Sequence, residues 1–226
     1  MRRNTEQRKK RLQIKLLQRR QMWTLTIEGW VIALALTMSL FLFAVTHIQS
    51  FLAVTSPVKA DILVVEGWMD DNGLKQALAE FEQGSYRQII TTGIPLQKGY
   101  YLSEYKDFAN LAAATLEAMG ADKSKIIPIP TPGVLKDRTH ASVLELDKWL
   151  VNSQSKIESI NLFSDNVHSR RSWMIYKKVL EPKIKVGVIA AENFSYNPKR
   201  WWGSSEGVRT VLSEAIGYIY ALFKSN

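Results

Sequence analysis

From Gly29 to Val58 the chain carries no Asp, Glu, Lys or Arg, and its centre, Val31 to Val45, is almost wholly apolar. A run of this kind reads either as a buried core helix or as a membrane span. The absence of polar alternation over so many residues favours the span. At 1.5 Å per residue, about 20 to 24 residues cross a hydrocarbon core of roughly 30 Å. Trp23 and Trp30 sit at its basic end, where interfacial aromatics collect. A cleaved signal peptide would have a shorter basic flank and an apolar core of about 7 to 15 residues.

Charge sets the expected direction of insertion. Residues 1 to 28 hold nine Lys/Arg against two Glu, so seven of the nine net positive charges precede the span. A basic flank stays in the cytoplasm, beside anionic lipid. The expected organisation is a cytoplasmic tail over 1–28, a signal anchor over 29–52, a linker over 53–59 containing Thr55-Ser56-Pro57, and a globular domain over 60–226. That domain would face the extracytoplasmic side of the inner (plasma) membrane, anchored in lipid by one helix. With the tail set aside the remainder is close to neutral, which argues against nucleic acid as a partner. The absence of cysteine excludes disulfides, zinc–thiolate sites, iron–sulfur clusters and a thiol nucleophile.

After the linker, short apolar runs alternate with amphipathic ones. Strands are expected at Ala60–Val65, Gln88–Thr92, Ile126–Ile129, Ile160–Phe163 and Lys185–Ala190. Helices are expected on Leu74 to Phe81 (closed by Gly84), Tyr101 to Met119, about Thr139 to Leu150, a helix bearing Trp173, Tyr176 and Val179, and Glu206 to Phe223. This alternation predicts an α/β, Rossmann-like three-layer domain with a mostly parallel sheet. The final helix is too short and too charged for a second span.

The stretch from Ser159 to Tyr176 carries most of the functional signal. An apolar strand, the polar turn Ser164-Asp165-Asn166 and a helix start follow one another, placing His168, Arg170 and Arg171 near a helix N-terminus at a strand's carboxyl end. Ligands of open α/β sheets bind at that edge, and free N–H groups with cationic side chains favour an anion. Polar residues after the other strands should gather there too: Glu66, Thr92, Arg138, Thr139 and Asp165. The candidate catalytic residue is His168, and the candidate ligand-binding residues are Glu66, Arg138, Thr139, Asp165 and Arg171. Each has a plainer alternative. Glu66 could pair with Arg138 or Arg171 for structure alone, and Asp165 could cap the helix with its side chain. His140 would be exposed or locally bonded, His47 a boundary residue of the anchor, and Trp201-Trp202 either a lid or packing against the last helix. Glu66, Asp165 and His168 could hold a divalent cation, but the neighbouring arginines oppose one, so no metal is expected. No glycine-rich phosphate loop, zinc-protease motif or serine-hydrolase elbow is present, and no cofactor is identified.

The order of these elements resembles the DUF218 family, the group that includes the YdcF, SanA and ElyC envelope proteins. The resemblance covers roughly residues 58 to 224. It rests on a strand followed by His168, Arg171 and Ser172 in a His-x-x-Arg-Ala/Ser element, and on Arg138-Thr139 before the third helix. Glu104 would be the acidic residue opening the second helix, and Trp201, Trp202, Glu206 and Glu214 fit the C-terminal pattern. The chain departs where the family reads Val-Leu-Gly-Gly, since Glu66-Gly67-Trp68 stands there. The resemblance implies a Rossmann-like fold and a part in cell-envelope or peptidoglycan-precursor homeostasis, with enzymatic activity open.

The expected function is a membrane-anchored domain binding an anionic ligand, either a phosphate-bearing small molecule or a lipid-linked phosphate. Phosphoryl or pyrophosphoryl chemistry would use His168 as general acid/base, with Arg138 and Arg171 neutralising charge. The alternatives are a nucleotide or S-adenosylmethionine-binding domain and a non-catalytic partner-binding module docking through its Trp-rich C-terminal region.

Overall fold

A computed structural model of the chain describes residues 24–153 and 156–224. The basic tail, with Trp23, lies outside the described residues. The first element, α1 (Ile27–Leu52), is long and apolar enough to cross a membrane. The chain divides into compact units between Leu42 and Phe43, so the last turns of α1 belong to the folded body. There Leu52 and Gln49 are buried, and Gln49 Nε2 donates to Asn166 Oδ1 at 3.0 Å.

Five strands form one all-parallel sheet in the order β3-β2-β1-β4-β5: β1 (Ile62–Glu66), β2 (Gln88–Gly93), β3 (Ile126–Pro130), β4 (Ser159–Ser164) and β5 (Lys185–Ala190). Four helices connect them: α2 (Asp71–Gln83), α3 (Phe108–Ala118), α4 (Arg138–Asn152) and α5 (Ser169–Leu180). The three inner strands, β2, β1 and β4, are buried on both faces, which is why they read as nearly continuous apolar runs. On β1, Ile62 and Val64 point to a cluster holding Val143 and Leu146 of α4 and Tyr176 and Leu180 of α5. Leu63 and Val65 point the other way, onto Leu74, Ala77 and Leu78 of α2 and Ala112 and Leu116 of α3. Helices therefore cover both sides of the sheet, as the alternation of strands and helices requires.

A third cluster joins Leu52, Val167, Tyr196, Trp201 and Val211. Val211 lies on α6 (Ser205–Lys224), the last helix. Trp201 Nε1 donates to the Val45 carbonyl at 2.9 Å, so this tryptophan is packing rather than lid; Trp202 remains half-exposed.

Most boundaries fall within two or three residues of expectation, and the largest difference is the start of α3. The helix expected from Tyr101 begins at Phe108, and Tyr101 and Leu102 are almost fully exposed. Asp107 is the reason. Its carboxylate accepts from the Asn110 backbone N–H at 2.8 Å and from Asn110 Nδ2 at 2.7 Å, fixing the cap there. Upstream, Leu96 N–H donates to the Lys106 carbonyl and Phe108 N–H to the Ile94 carbonyl, so the backbone is committed to a loop. Glu104 therefore sits in that loop and opens no helix.

Candidate functional site

Strands β1 and β4 lie side by side at the centre of the sheet, where strand order reverses: β2 and β3 extend to one side, and the chain returns to place β4 and β5 on the other. Such a reversal opens a crevice at the strands' carboxyl ends. Glu66 ends β1 and Ser164 ends β4. Glu66 is only 3% exposed. Its carboxylate accepts from Ser164 Oγ at 2.5 Å and from Ser172 Oγ at 2.8 Å. The structural ion pair considered for Glu66 is thus not formed with Arg138 or Arg171; two hydroxyls take its oxygens instead. Gly67, the next residue, has no room for a side chain, since a Cβ there would lie 2.5 Å from the Phe108 carbonyl oxygen.

A single 3-10 turn, Asn166–His168, connects β4 to α5 and carries His168 into the crevice. Asp165 precedes that turn but makes no side-chain cap, so the expected capping role is not what it does. The His168 ring is buried and meets the Trp68 ring edge-to-face, with centroids 4.9 Å apart. Its Nδ1 lies 3.1 Å from Glu214 Oε1 and 2.9 Å from Arg171 Nη2. Arg171 grips the same carboxylate from two nitrogens, Nε to Oε2 at 2.9 Å and Nη2 to Oε1 at 3.1 Å. Burial pushes the Glu214 carboxyl up, but hydrogen bonding and charge from His168 and Arg171 outweigh it and hold the group down at about 2. Nε2 of His168 is the one buried side-chain nitrogen or oxygen among the described residues without a hydrogen-bond partner, and the Glu66 carboxylate lies 3.8 Å away. With its proton on Nδ1 the ring donates to Glu214 and Nε2 is the basic nitrogen; with Nδ1 accepting from Arg171, Nε2 carries the proton.

His168 lines a cavity of about 1000 Å³, at the upper end for small-molecule sites. The floor is Glu66, Thr92, His168, Arg171 and Glu214, and the walls include Trp68, Ile94, Phe108, Met174, Ile175 and Tyr220. The mouth is cationic, with Lys136, Arg138, Lys178 and Lys224 beside Asp137, Thr139 and His140. Lys224 pairs with Asp137. Arg138 and Lys136 make no ion pair among the described residues and are exposed.

Five of the six candidate residues thus line one cavity: Glu66, Arg138, Thr139, His168 and Arg171. Asp165 does not. It faces a smaller hollow of about 260 Å³ alongside Asp70, Glu192 and Glu206, where burial raises its carboxyl above the ordinary value despite the opposing charge of His168. His140 is exposed at the mouth, and His47, on α1, stacks on Phe43 with its Nδ1 2.9 Å from the Phe43 carbonyl oxygen. Sequence reasoning left out Ser164, Lys136 and Lys224, and treated Trp68 only as a departure from a glycine turn. The available signal was position, since Ser164 directly follows one central apolar run and Trp68 stands three residues after the other. Among the described residues, no group of three or more His, Asp or Glu side chains is placed to hold a metal ion.

The chain matches no family model, and no curated protein matches it.

Proposed function

We propose that this is a membrane-anchored protein whose α/β domain, on the extracytoplasmic side of the inner membrane, binds a phosphate-bearing ligand in the central crevice and acts on it through His168. The observation that carries the reading is the state of the His168 ring. A carboxylate and a guanidinium fix its Nδ1, while its buried Nε2 stands without a partner beside a large cavity with a cationic mouth. Leaving a buried polar atom unsatisfied costs about 1 to 3 kcal/mol, a cost that ligand binding would offset. In phosphoryl or pyrophosphoryl transfer to water, Nε2 would take a proton from the attacking water or give one to the leaving oxygen. The cytoplasmic N-terminus follows from the basic excess before the span. A part in envelope-precursor homeostasis, as in DUF218-like proteins, belongs to the same proposal.

The test uses the full chain in detergent micelles or nanodiscs with two probes, phenyl phosphate and a prenyl phosphate, followed by calorimetry and phosphate release. Binding of phenyl phosphate indicates a soluble ligand class. Binding confined to the prenyl probe indicates a lipid-linked one. His168→Gln should retain binding and lose phosphate release. Failure of both probes to bind at millimolar concentration rejects the reading.

A further inference from the structure

The floor and the mouth of this cavity differ in charge, and the difference decides where a phosphate sits. On the floor the Arg171 guanidinium is already spent in a two-point grip on Glu214, and Glu66 adds a second buried carboxylate 3.8 Å from the His168 ring. A phosphate placed there would meet two carboxylates and one neutralised arginine, and repulsion between like charges is strongest where water is excluded. The mouth has the opposite character. Lys136 and Arg138 carry no carboxylate partner among the described residues, and both line the cavity.

Backbone geometry adds donors at the same place. Arg138 opens α4, a helix of 15 residues, and the preceding Asp137 takes a left-handed conformation (φ 56°, ψ 41°) with no side-chain cap. The Asp137 carboxylate turns to Lys224 instead of covering the helix end. A left-handed residue leading into a helix makes a concavity of N–H groups suited to an anion, and the helix dipole acts in the same sense. His168 lines the same cavity, and its buried Nε2 has no hydrogen-bond partner among the described residues, an independent sign that a ligand belongs there.

We infer that the phosphate group is held at the mouth, by Arg138, Lys136 and the first N–H groups of α4, and that the His168 floor receives the hydrogen-bond-donating part of the molecule next to it. This inference rests on the phosphate-ligand reading and assigns its subsite. It takes Arg171 out of the ligand set and makes it a positioning residue, holding Glu214 against His168. The ligand class is accordingly a phosphomonoester or pyrophosphate joined to a hydroxyl- or amine-bearing group, since such groups donate to the Glu66 carboxylate and a hydroxyl pairs with Nε2 in either tautomer.

Phenyl phosphate titrated by calorimetry into the full chain in micelles separates the cases. A Lys136→Ala/Arg138→Ala double variant should melt like the parent, because neither exposed side chain is paired, and should weaken affinity at least about tenfold. Asp137→Gly keeps the left-handed conformation available and removes a negative charge from the mouth, so it should bind at least about threefold more tightly. Glu66→Gln is the counter-test, because a phosphate on the floor would gain sharply from losing that carboxylate. Tighter binding in Glu66→Gln, together with parental affinity in the double variant, would overturn the inference while leaving a phosphate ligand in place. No binding of the probe by the parent protein would remove the reading beneath it instead.

Discussion

Replacing Glu214 with Gln keeps the side chain's size and removes the charge that Arg171 and His168 converge on. The parent carboxyl is held at about 2 against an ordinary 4.5. That gap corresponds to roughly 3 kcal/mol of preferential stabilisation of the folded state. Because the folded-state value is depressed, the contribution is fully present above about pH 4.5 and disappears as pH falls through about 2. Parent and variant should therefore differ by up to about 3 kcal/mol at pH 7, and the difference should close between pH 4.5 and 2. The measurement is urea unfolding in micelles, followed by tryptophan fluorescence at four pH values across that window. Other carboxylates also titrate there, Asp61 among those held low, but they contribute equally to both proteins and cancel in the difference. A difference that stays constant from pH 7 to pH 2 would refute the argument, because it would mean that Glu214 stabilises by packing and not by charge.

Leu52 is fully buried where α1 enters the domain core; Leu52→Ala should cost about 2 to 5 kcal/mol and shift the emission of Trp201 in the same cluster, measured by denaturant unfolding. Gly67→Ala would press a Cβ against the Phe108 carbonyl and should lower stability by about 1 to 3 kcal/mol, read as a lower melting temperature with weaker ligand affinity, since the β1 end would shift.

The sheet and its helices were legible because the inner strands are buried on both faces and the apolar runs are bounded by turn residues. Ile62 to Val65 and Ile160 to Phe163 admit no amphipathic alternative. The convergence of Glu66, His168 and Arg171 was legible for the same reason, because parallel strands send their carboxyl ends to one edge. What the sequence hides is side-chain direction after a turn. Asp165 and His168 are three residues apart, yet the 3-10 turn between them sends one to a separate hollow. The start of α3 was hidden because Tyr101 and Tyr105 keep helical spacing, while the deciding bond runs from Asn110 back to Asp107. Nor does an apolar run say what covers it. Leu52 against Trp201 reads like a leucine against lipid, and the polar residues Thr46, His47, Gln49 and Ser50 are what mark the change, with Gln49 bonded into the domain.

The position of the crevice between β1 and β4 also bears on how the chain acquires it. Ser164 lies 98 residues beyond Glu66, and Ser172 lies 106 beyond it. Strands β1 to β3 follow one another and can pair early, but the crevice waits for a closure of that span, which is entropically costly and slow. Until β4 arrives, β1 is a strand with one open edge, ending in a carboxylate that lacks both of its hydroxyl donors. A charge at an open edge discourages pairing with a foreign strand. Glu66 would thus guard the half-formed sheet before it ever serves a ligand, and a neutral residue there would be felt first in the yield of folded protein.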